Sequence, residues 1–533
     1  MFFWWHRFIR SFHRNRVILG LFFSLGTALV LAAGAEVYFR KVATEGNERK
    51  WAPDDYVMFL RRNSLPIIKV RNEEGKKYLT DGARSIPYEK SPARKRLFLL
   101  GESFADEWGR VLPEIMGAQG CDALSLGASA ADLGMVENQF ERSLKYSPDL
   151  LVVFVGNNIH FDHPALSEVM YRVYQTLIFA RRWSVFADRL LNRIAPEYAD
   201  VDEAARMESM DRFIRRVTQK SRERNIPVVF CLVPRNHVAC GIGLLDPSDD
   251  YEPYYLYCRG RRKQAIRYVQ EVAKGTRSTG MHALSGAWLY EEGEYEAAQK
   301  EVQAGLFNRD RLVNEQIMES SGQAGAWALD IPRAFAQRGV RGVVGYDIMS
   351  DRVHANKFGY QLASEALIRL LKEKEWPSAE YPWDLRKRYA PMDWETCLEY
   401  GYDAYTTNDD RRFAYIISRA PDRKALKPIV EGYISRAAWM RTDRRMQFIL
   451  TYSRAFWISG MNPEAFHFCR LARTVDPTSE RPDFWEGVYH LSEGNLSEAR
   501  AFFETGYRKS PEDPKLVFFK NRVLREIDGD EGG

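Results

Sequence analysis

The sequence contains a series of short apolar runs that end at glycine or proline and alternate with stretches of helical periodicity, and this alternation restricts the fold more than any other feature. Apolar runs of about four to eight residues are typical of strands buried on both faces of a parallel sheet. Their alternation with helices predicts an α/β fold with a doubly wound, flavodoxin-like sheet in three layers. We predict strands over residues 96–100, up to Leu126, and over 150–155, 226–233 and 340–348.

The chain of 533 residues is too long for one compact core, and the pattern along it divides into four parts. A helical insertion separates the fourth and fifth predicted strands, and no strand pattern follows Trp383. The predicted parts are a cytoplasmic tail with a transmembrane anchor at 1–41, a juxtamembrane segment at 42–90, an α/β domain at 91–375 with the insertion at about 240–335, and an all-α domain at 376–533.

The N-terminal region predicts the location of the protein. Residues 17–35 carry no charge and open an apolar stretch that reaches Phe39, which is about the length needed to cross a bilayer as a helix. Aromatic residues and four arginines precede it, and four basic residues follow it closely, so the count of basic residues is even on the two sides. The short N-terminal tail favours a cytoplasmic N-terminus and a single-pass membrane protein. The segment Ala33-Gly34-Ala35 also fits a cleaved signal peptide. Both interpretations place the remaining chain on the extracytoplasmic side.

The last third of the chain repeats with a period of 34 residues. Glycine, alanine and proline recur at fixed phases, which is typical of tetratricopeptide repeats and predicts a surface for a protein partner. A third copy over residues 286–298 lies inside the insertion, where an ordinary helical hairpin explains it equally well. The matched positions of the first two copies are Gly460 and Gly494, Ala465 and Ala499, and Pro477 and Pro511.

Composition excludes several classes of function. The 77 basic and 72 acidic residues nearly balance, and no basic stripe is present, so we expect no nucleic-acid partner. The six cysteines show neither C-x-x-C motifs nor metal-ligand spacing, so we expect no zinc site, and no cofactor is called for. Whether Cys240 and Cys258 pair is left open.

Two short motifs suggest nucleophilic catalysis. Gly101-Glu102-Ser103 joins a predicted strand to a helix, which places the serine hydroxyl where free backbone N–H groups favour an oxyanion. In a D-x-x-H turn, Asp351 can accept the Nδ1–H of His354 while Nε2 faces the serine. Taken alone, the first motif is common, and the second is also compatible with a helix-capping aspartate and a surface histidine.

Two further strand ends carry candidate donors. Gly127 follows the second predicted strand, where the lack of a side chain permits close backbone approach to a substrate. Asn158 follows the third strand and offers a side-chain amide. In α/β sheets ligands bind past the carboxyl ends of strands, although glycine and asparagine are also ordinary turn residues.

The serine, glycine, asparagine and histidine blocks, in that order and at strand ends, resemble the SGNH (GDSL-like) hydrolase family over the α/β domain. The resemblance implies an SGNH-type fold in which Ser103 is the nucleophile and His354 is the general base and acid, oriented by Asp351. It also implies an oxyanion hole made of the backbone N–H groups of Ser103 and Gly127 and the side-chain amide of Asn158.

Two positions depart from the family pattern. Glu102 stands where an aspartate is usual, and Ile159 replaces the acidic residue that often follows the asparagine. The sequence is most similar to a bacterial subgroup that combines a transmembrane anchor, an SGNH domain and tetratricopeptide-like helices. The resemblance to that subgroup makes residues 234–236 of this chain, past the fourth predicted strand, candidates to line the cleft.

The function predicted from these residues is hydrolysis of carboxylic esters through an acyl-enzyme. The substrate is expected to be an acylated small molecule, glycan or lipid of the cell envelope. An O-acyltransferase, in which a sugar hydroxyl replaces water, is equally compatible with the residues. A non-catalytic scaffold that binds glycan or protein is the other alternative, and the presence of all five site residues weighs against it.

Overall fold

The computed structural model describes most of the chain, but not its N-terminal region. The predicted membrane anchor therefore lies outside the described residues. Among the helices that are described, none is both long enough and apolar enough to cross a membrane. The described residues are 68–81, 84–128, 131–158, 203–238, 250–276, 279–305, 308–376, 410–420 and 422–529.

The chain divides into two compact units. The first comprises residues 1–109, 122–230 and 316–327, and the second comprises residues 110–121, 231–315 and 328–533.

A small antiparallel sheet precedes the α/β region, inside the predicted juxtamembrane segment. Its strands are β1 (Lys69–Glu73), β2 (Lys76–Thr80) and β3 (Ser85–Pro87). Glu74 and Gly75, both with positive φ, form the two-residue loop between β1 and β2. Such loops need two left-handed residues and strongly prefer glycine at the second position, so Glu-Gly between two short runs was a usable hairpin signal.

A five-stranded sheet forms the centre of the α/β region and confirms the α/β class of the fold. Strands β4 and β6 pair in parallel, from Leu97 opposite Leu150 to Gly101 opposite Phe154. In chain order the strands lie 2-1-3-4-5, the flavodoxin-like order in which ligands bind between the first and third strands. The strands are β4 (Lys95–Gly101), β5 (Cys121–Ser125), β6 (Leu150–Phe154), β7 (Val228–Cys231) and β8 (Trp327–Leu329), in the order β5-β4-β6-β7-β8.

The fifth strand was predicted at the wrong place. Residues 340–348 form a turn-rich loop with one isolated bridge, between Val340 and Val343, and the fifth strand is β8. Arg341 and Gly342 both have positive φ, which is incompatible with an extended strand. The apolar composition of this loop reflects burial of Val343, Val344 and Ile348 rather than strand structure.

Eighteen α-helices lie within the described residues. In the α/β region they are α1 (Ser103–Trp108), α2 (Leu112–Ala118), α3 (Leu133–Ser143), α4 (Glu203–Arg222), α5 (Glu252–Cys258), α6 (Arg262–Thr276), α7 (Thr279–Glu291), α8 (Tyr295–Gly305), α9 (Asn308–Ala324), α10 (Ile331–Ala336) and α11 (Lys357–Glu373). In the C-terminal region they are α12 (Asp410–Arg419), α13 (Leu426–Arg436), α14 (Thr442–Ile458), α15 (Asn462–Val475), α16 (Arg481–Ser492), α17 (Leu496–Lys509) and α18 (Pro514–Ile527).

The helical insertion and the C-terminal helices, both in the second unit, share one hydrophobic core. We call this assembly, α5 to α8 together with α12 to α18, the helical body. The ring of Tyr255 packs against Phe519 at a centroid distance of 5.6 Å. Arg259 donates to Glu526 at 2.8 Å. The insertion is therefore continuous with the C-terminal region in packing, although about 270 residues separate these partners in sequence.

The repeat positions read from the sequence have equivalent conformations in the helical body. Gly293, Gly460 and Gly494 each follow the first helix of a pair and have φ between +75° and +84°, a region that glycine enters without strain. Two further glycines lie in the first helix of a pair, where a partner on the second helix leaves no room for a side chain. These contacts are Gly487 with Phe503 and Gly286 with Val302, and each pair is separated by 16 residues (503 − 487 and 302 − 286).

Replacing Gly487 by alanine is expected to destabilise the helical body by about 1–3 kcal/mol. The added Cβ would lie 2.7 Å from Cε1 of Phe503, which is fully buried. The matched control is Gly432→Ala on α13, where nothing lies within 4 Å of an added Cβ. The control is expected to leave stability unchanged or to raise it by up to about 1 kcal/mol. Urea unfolding followed by circular dichroism measures both, and equal losses of stability would contradict the predicted clash.

Candidate active site

The turn that carries Ser103 is fixed through both backbone polar groups of Gly101, the last residue of β4. Gly101 has φ +144°, and a Cβ at this position would lie 2.2 Å from the carbonyl oxygen of Phe154, so only glycine fits. Gln139 of α3 accepts from the Gly101 N–H at 2.8 Å and donates to the Gly101 carbonyl at 3.2 Å. Helix α1 then begins at Ser103, which is half-buried.

Glu102 occupies the N-cap position of α1, but its side chain does not cap the helix. The side chain is buried, with the residue 1% exposed, and accepts two backbone hydrogen bonds from the loop after β6. Oε1 accepts from the N–H of Gly156 at 2.7 Å and Oε2 accepts from the N–H of Asn158 at 2.9 Å. The sequence indicates only that a carboxylate replaces the usual aspartate at this position, and no sequence pattern predicts these two hydrogen bonds.

Gly127 lies against the first turn of α1. A Cβ at Gly127 would lie 2.2 Å from the backbone nitrogen of Asp106, so the lack of a side chain permits close packing against this helix. The Gly127 N–H donates to Oγ of Ser125 at 3.1 Å, and that hydroxyl donates to the carbonyl of Ala105 at 3.0 Å. An oxyanion bound by the Gly127 N–H would therefore have to replace the Ser125 hydroxyl.

Asn158 lies in the loop after β6, and its side-chain amide contacts the segment that follows β5. Nδ2 donates to the carbonyl of Ala131 at 3.0 Å, which orients the amide. Because an amide nitrogen carries two hydrogens, this contact uses only one of the two donors. Ser103, Gly127 and Asn158 all belong to the first unit, and they follow the first, second and third strands of its sheet, as predicted.

Asp351 and His354 form a hydrogen-bonded pair in the second unit. Oδ2 of Asp351 lies 2.7 Å from Nδ1 of His354, and Oδ1 accepts from the backbone N–H groups of Val353 and His354, each at 2.7 Å. An ionised carboxylate only accepts, so Nδ1 carries the ring proton and the lone pair is on Nε2. The side chains are 14% and 20% exposed, respectively.

The electrostatic environment keeps Asp351 ionised. Burial by itself raises the pKa of a carboxyl group, but here hydrogen bonds from the His354 ring and from two backbone N–H groups outweigh it. The net effect lowers the pKa of Asp351 below its ordinary value of 3.8. The helix after the pair starts where Asn356 caps α11 by accepting from the Gly359 N–H at 2.9 Å, which fixes the end of the turn.

The segment after β7 supports this turn from within the second unit. The backbone N–H of Asn236 donates to the carbonyl of Arg352 at 3.1 Å. His237 makes two hydrogen bonds with the backbone of Val344, one through its ring Nδ1, which accepts at 3.1 Å. Burial lowers the pKa of His237 to about 4, so the ring is neutral and can accept this bond. The sequence marked residues 234–236 as cleft candidates but did not indicate this role.

A buried ion pair anchors the same segment. The guanidinium of Arg235 donates two parallel hydrogen bonds to the carboxylate of Asp310 on α9, both at 2.9 Å. The two side chains are only 6% and 5% exposed. Nearby, Asn314 accepts from the N–H of Val233 and donates to its carbonyl. Helix α9 thus fixes the chain that leaves β7 and reaches the Asp351–His354 turn.

The spacing of the six cysteines in the sequence predicts no zinc site. In the ranges that the structure describes, no group of three or more histidine, cysteine, aspartate or glutamate side chains is placed to hold a metal ion. Cys258 is buried and unpaired, and burial raises its pKa to about 12. Its suggested partner Cys240 lies outside the described residues.

The fold and these residues resemble SGNH/GDSL-like hydrolases: the sheet order, the Gly-x-Ser turn after the first strand, and the hydrogen-bonded Asp-x-x-His pair all agree. No protein-family model and no curated protein sequence matches the chain.

Several solved structures of this class align with part of the chain. A GDSL-like lipase from Bacteroides thetaiotaomicron VPI-5482 is 13% identical, with 52% of this chain and 89% of that chain covered and a TM-score of 0.28. An acetyl xylan esterase is 13% identical, with coverages of 52% and 99% and a TM-score of 0.28. An acetylxylan esterase from Geobacillus stearothermophilus is 10% identical, with coverages of 52% and 93% and a TM-score of 0.26.

Proposed function

We propose that this protein is a serine hydrolase of the SGNH type that cleaves carboxylic esters through an acyl-enzyme. The observation that carries the proposal is the Asp351–His354 pair, because its hydrogen bonds select the histidine tautomer that a general base needs. The Gly101-Glu102-Ser103 turn supplies the nucleophile on a rigid support.

The proposed reaction has two balanced steps. Oγ of Ser103 attacks the ester carbonyl carbon as Nε2 of His354 takes the hydroxyl proton, and the oxyanion that forms accepts hydrogen bonds from backbone N–H groups and the Asn158 amide. Collapse of this intermediate breaks the ester C–O bond, and the leaving alcohol takes the proton from His354. Water then attacks the acyl-enzyme with the same base, releasing the acid and restoring Ser103.

Location and partners are proposed from the sequence. The apolar run at residues 17–39 supports a single-pass anchor with the enzyme on the extracytoplasmic side, where an acylated envelope glycan or lipid is the proposed substrate. The repeated glycine positions and the paired helices support a tetratricopeptide-like classification of the C-terminal helices. A protein partner for them is proposed on the same basis.

The test uses the full-length protein in detergent with a short-chain chromogenic ester and a fluorophosphonate probe. Wild type is expected to hydrolyse the ester and to be labelled on the peptide that contains Ser103. Ser103→Ala and His354→Ala are each expected to lose both signals. The matched control is Ser418→Ala, which removes an exposed hydroxyl on α12 that hydrogen-bonds only locally, to the carbonyl of Tyr415, and is expected to keep both.

Two other outcomes of this assay would each indicate a different function. Labelling of Ser103 without ester turnover would indicate an acyltransferase that lacks its acceptor, and adding candidate sugar acceptors would then restore turnover. Absence of both signals in a folded wild-type protein would overturn the enzyme proposal in favour of a binding scaffold.

A further inference from the structure

The carboxylate of Glu102 is not used by the proposed reaction, yet it is one of the most buried charged groups in the first unit. It adjoins the nucleophile in sequence and contacts the loop that carries Asn158. At 1% exposure, an ionised carboxylate must be compensated by hydrogen bonds, and the N–H groups of Gly156 and Asn158 supply two.

The position of these contacts explains what they connect. The parallel pairing of β4 with β6 ends at Gly101 opposite Phe154, and the Glu102 N–H adds one last bond to the Phe154 carbonyl at 3.2 Å. Beyond that point the segments that follow β4 and β6 separate, the first into α1 and the second into the loop at 156–158. The Glu102 side chain continues the connection past the end of the sheet, so the chain that bears Ser103 and the loop that bears Asn158 remain tied.

The length of the side chain suits this task. Gly156 and Asn158 are two residues apart, and their N–H groups converge on the two oxygens of one carboxylate. Hydrogen bonds to a charged acceptor are about twice as strong as those between neutral groups, so the loop is held more firmly than by ordinary turn contacts. Asn158 is held a second time through its side chain, which donates to the Ala131 carbonyl.

We propose that Glu102 is a positioning residue that fixes the oxyanion-binding amide of Asn158 relative to Ser103. This inference rests on the proposed function. Glu102 contacts the loop backbone, and it acts on the reaction only through Asn158. An amide donor aimed at the oxyanion acts where charge develops in the transition state, so its displacement lowers kcat and leaves KM nearly unchanged.

The variant that tests this is Glu102→Gln, which keeps the size of the side chain but replaces one acceptor oxygen with a donor that opposes a backbone N–H. We expect kcat for a chromogenic ester to fall about 10–100-fold, somewhat less than the loss for removing an oxyanion donor outright, with KM changed less than about threefold. Hydrogen–deuterium exchange at residues 156–158 is expected to accelerate in the same variant.

The matched control is Glu137→Gln on α3 of the same unit. Glu137 is also a buried carboxylate, and it pairs with Arg216 of α4 at 3.1 Å. We expect this control to change thermal stability without changing kcat or the exchange at 156–158. A loss of activity in both variants in proportion to their loss of stability would reduce Glu102 to a structural role.

The remaining outcomes separate this inference from the proposed function. An active wild type with unchanged kcat in Glu102→Gln overturns the positioning role and leaves the esterase proposal intact. An inactive, unlabelled wild type overturns the esterase proposal and the catalytic part of this inference with it. In that case exchange at 156–158 in Glu102→Gln still decides whether the carboxylate holds the loop.

Discussion

Replacing Asp351 by asparagine is expected to lower kcat for ester hydrolysis by about 10⁴-fold, with little change in KM. The Asp351 carboxylate accepts a hydrogen bond from Nδ1–H of His354, with 2.7 Å between Oδ2 and Nδ1, which leaves the lone pair on Nε2. An asparagine amide that turns its nitrogen toward the ring selects the opposite tautomer, which has no base to take the serine proton. Steady-state kinetics of the purified variant with a chromogenic ester measures the loss.

The control for this prediction is Asp330→Asn at the N-cap of α10, in the same unit. Asp330 accepts a backbone hydrogen bond from Arg333 at 2.9 Å, just as Asp351 accepts from His354, but no histidine ring is involved. The control is expected to keep full activity. A kcat within tenfold of wild type in Asp351→Asn would show that the pair is not part of a catalytic triad.

The pKa of Asp351 adds an expectation for acid stability. The folded protein lowers this pKa below its ordinary value of 3.8, so in acid the unfolded chain takes up the proton more readily. The stability that the ionised carboxylate contributes is therefore complete above about pH 4 and is lost as the pH falls through the folded value. The free energy of unfolding, measured between pH 5 and pH 2.5, is expected to depend less steeply on pH in Asp351→Asn than in wild type.

The strands that could be predicted from the sequence are those whose burial is complete. The side chains of β6 are fully buried along the whole strand, and a strand of this kind must be apolar at every position. Strand β8 has three residues, Trp327–Leu329, which are too few to show a periodic pattern. The apolar run at 340–348 was mistaken for a strand because composition does not show the left-handed conformation of Arg341 and Gly342.

The candidate site could be predicted where its contacts are local. Asp351 and His354 are three residues apart, so a single turn brings them together and the spacing alone suggests the pair. The hydrogen bonds of Glu102 reach partners 54 and 56 residues away, and no local pattern signals them. The sequence therefore predicts the local Asp351–His354 pair, whereas the hydrogen bonds of the Glu102 side chain are evident only from the fold.

Replacing Asp310 by alanine is expected to destabilise the second unit by about 3–5 kcal/mol. Its partner Arg235 is 6% exposed, so the variant leaves a guanidinium charge in the interior without the two hydrogen bonds that compensate its burial. The variant is also expected to destabilise the candidate site, because the N–H of Asn236, next to Arg235, donates to the carbonyl of Arg352 in the Asp351–His354 turn. Urea unfolding measures the change in the free energy of unfolding.

The same helix provides the matched control for this prediction. Arg311 and Glu315 form an ion pair one residue further along α9, at 3.9 Å, with side chains 60% and 59% exposed. Glu315→Ala is expected to change stability by less than about 1 kcal/mol, because solvent already screens both charges. If Asp310→Ala cost no more than Glu315→Ala, the Arg235 charge would have to reach water, and α9 would not be the anchor of the chain leaving β7. Replacing Arg235 by methionine and Asp310 by leucine together is expected to recover most of the lost stability, since no buried charge then remains unpaired.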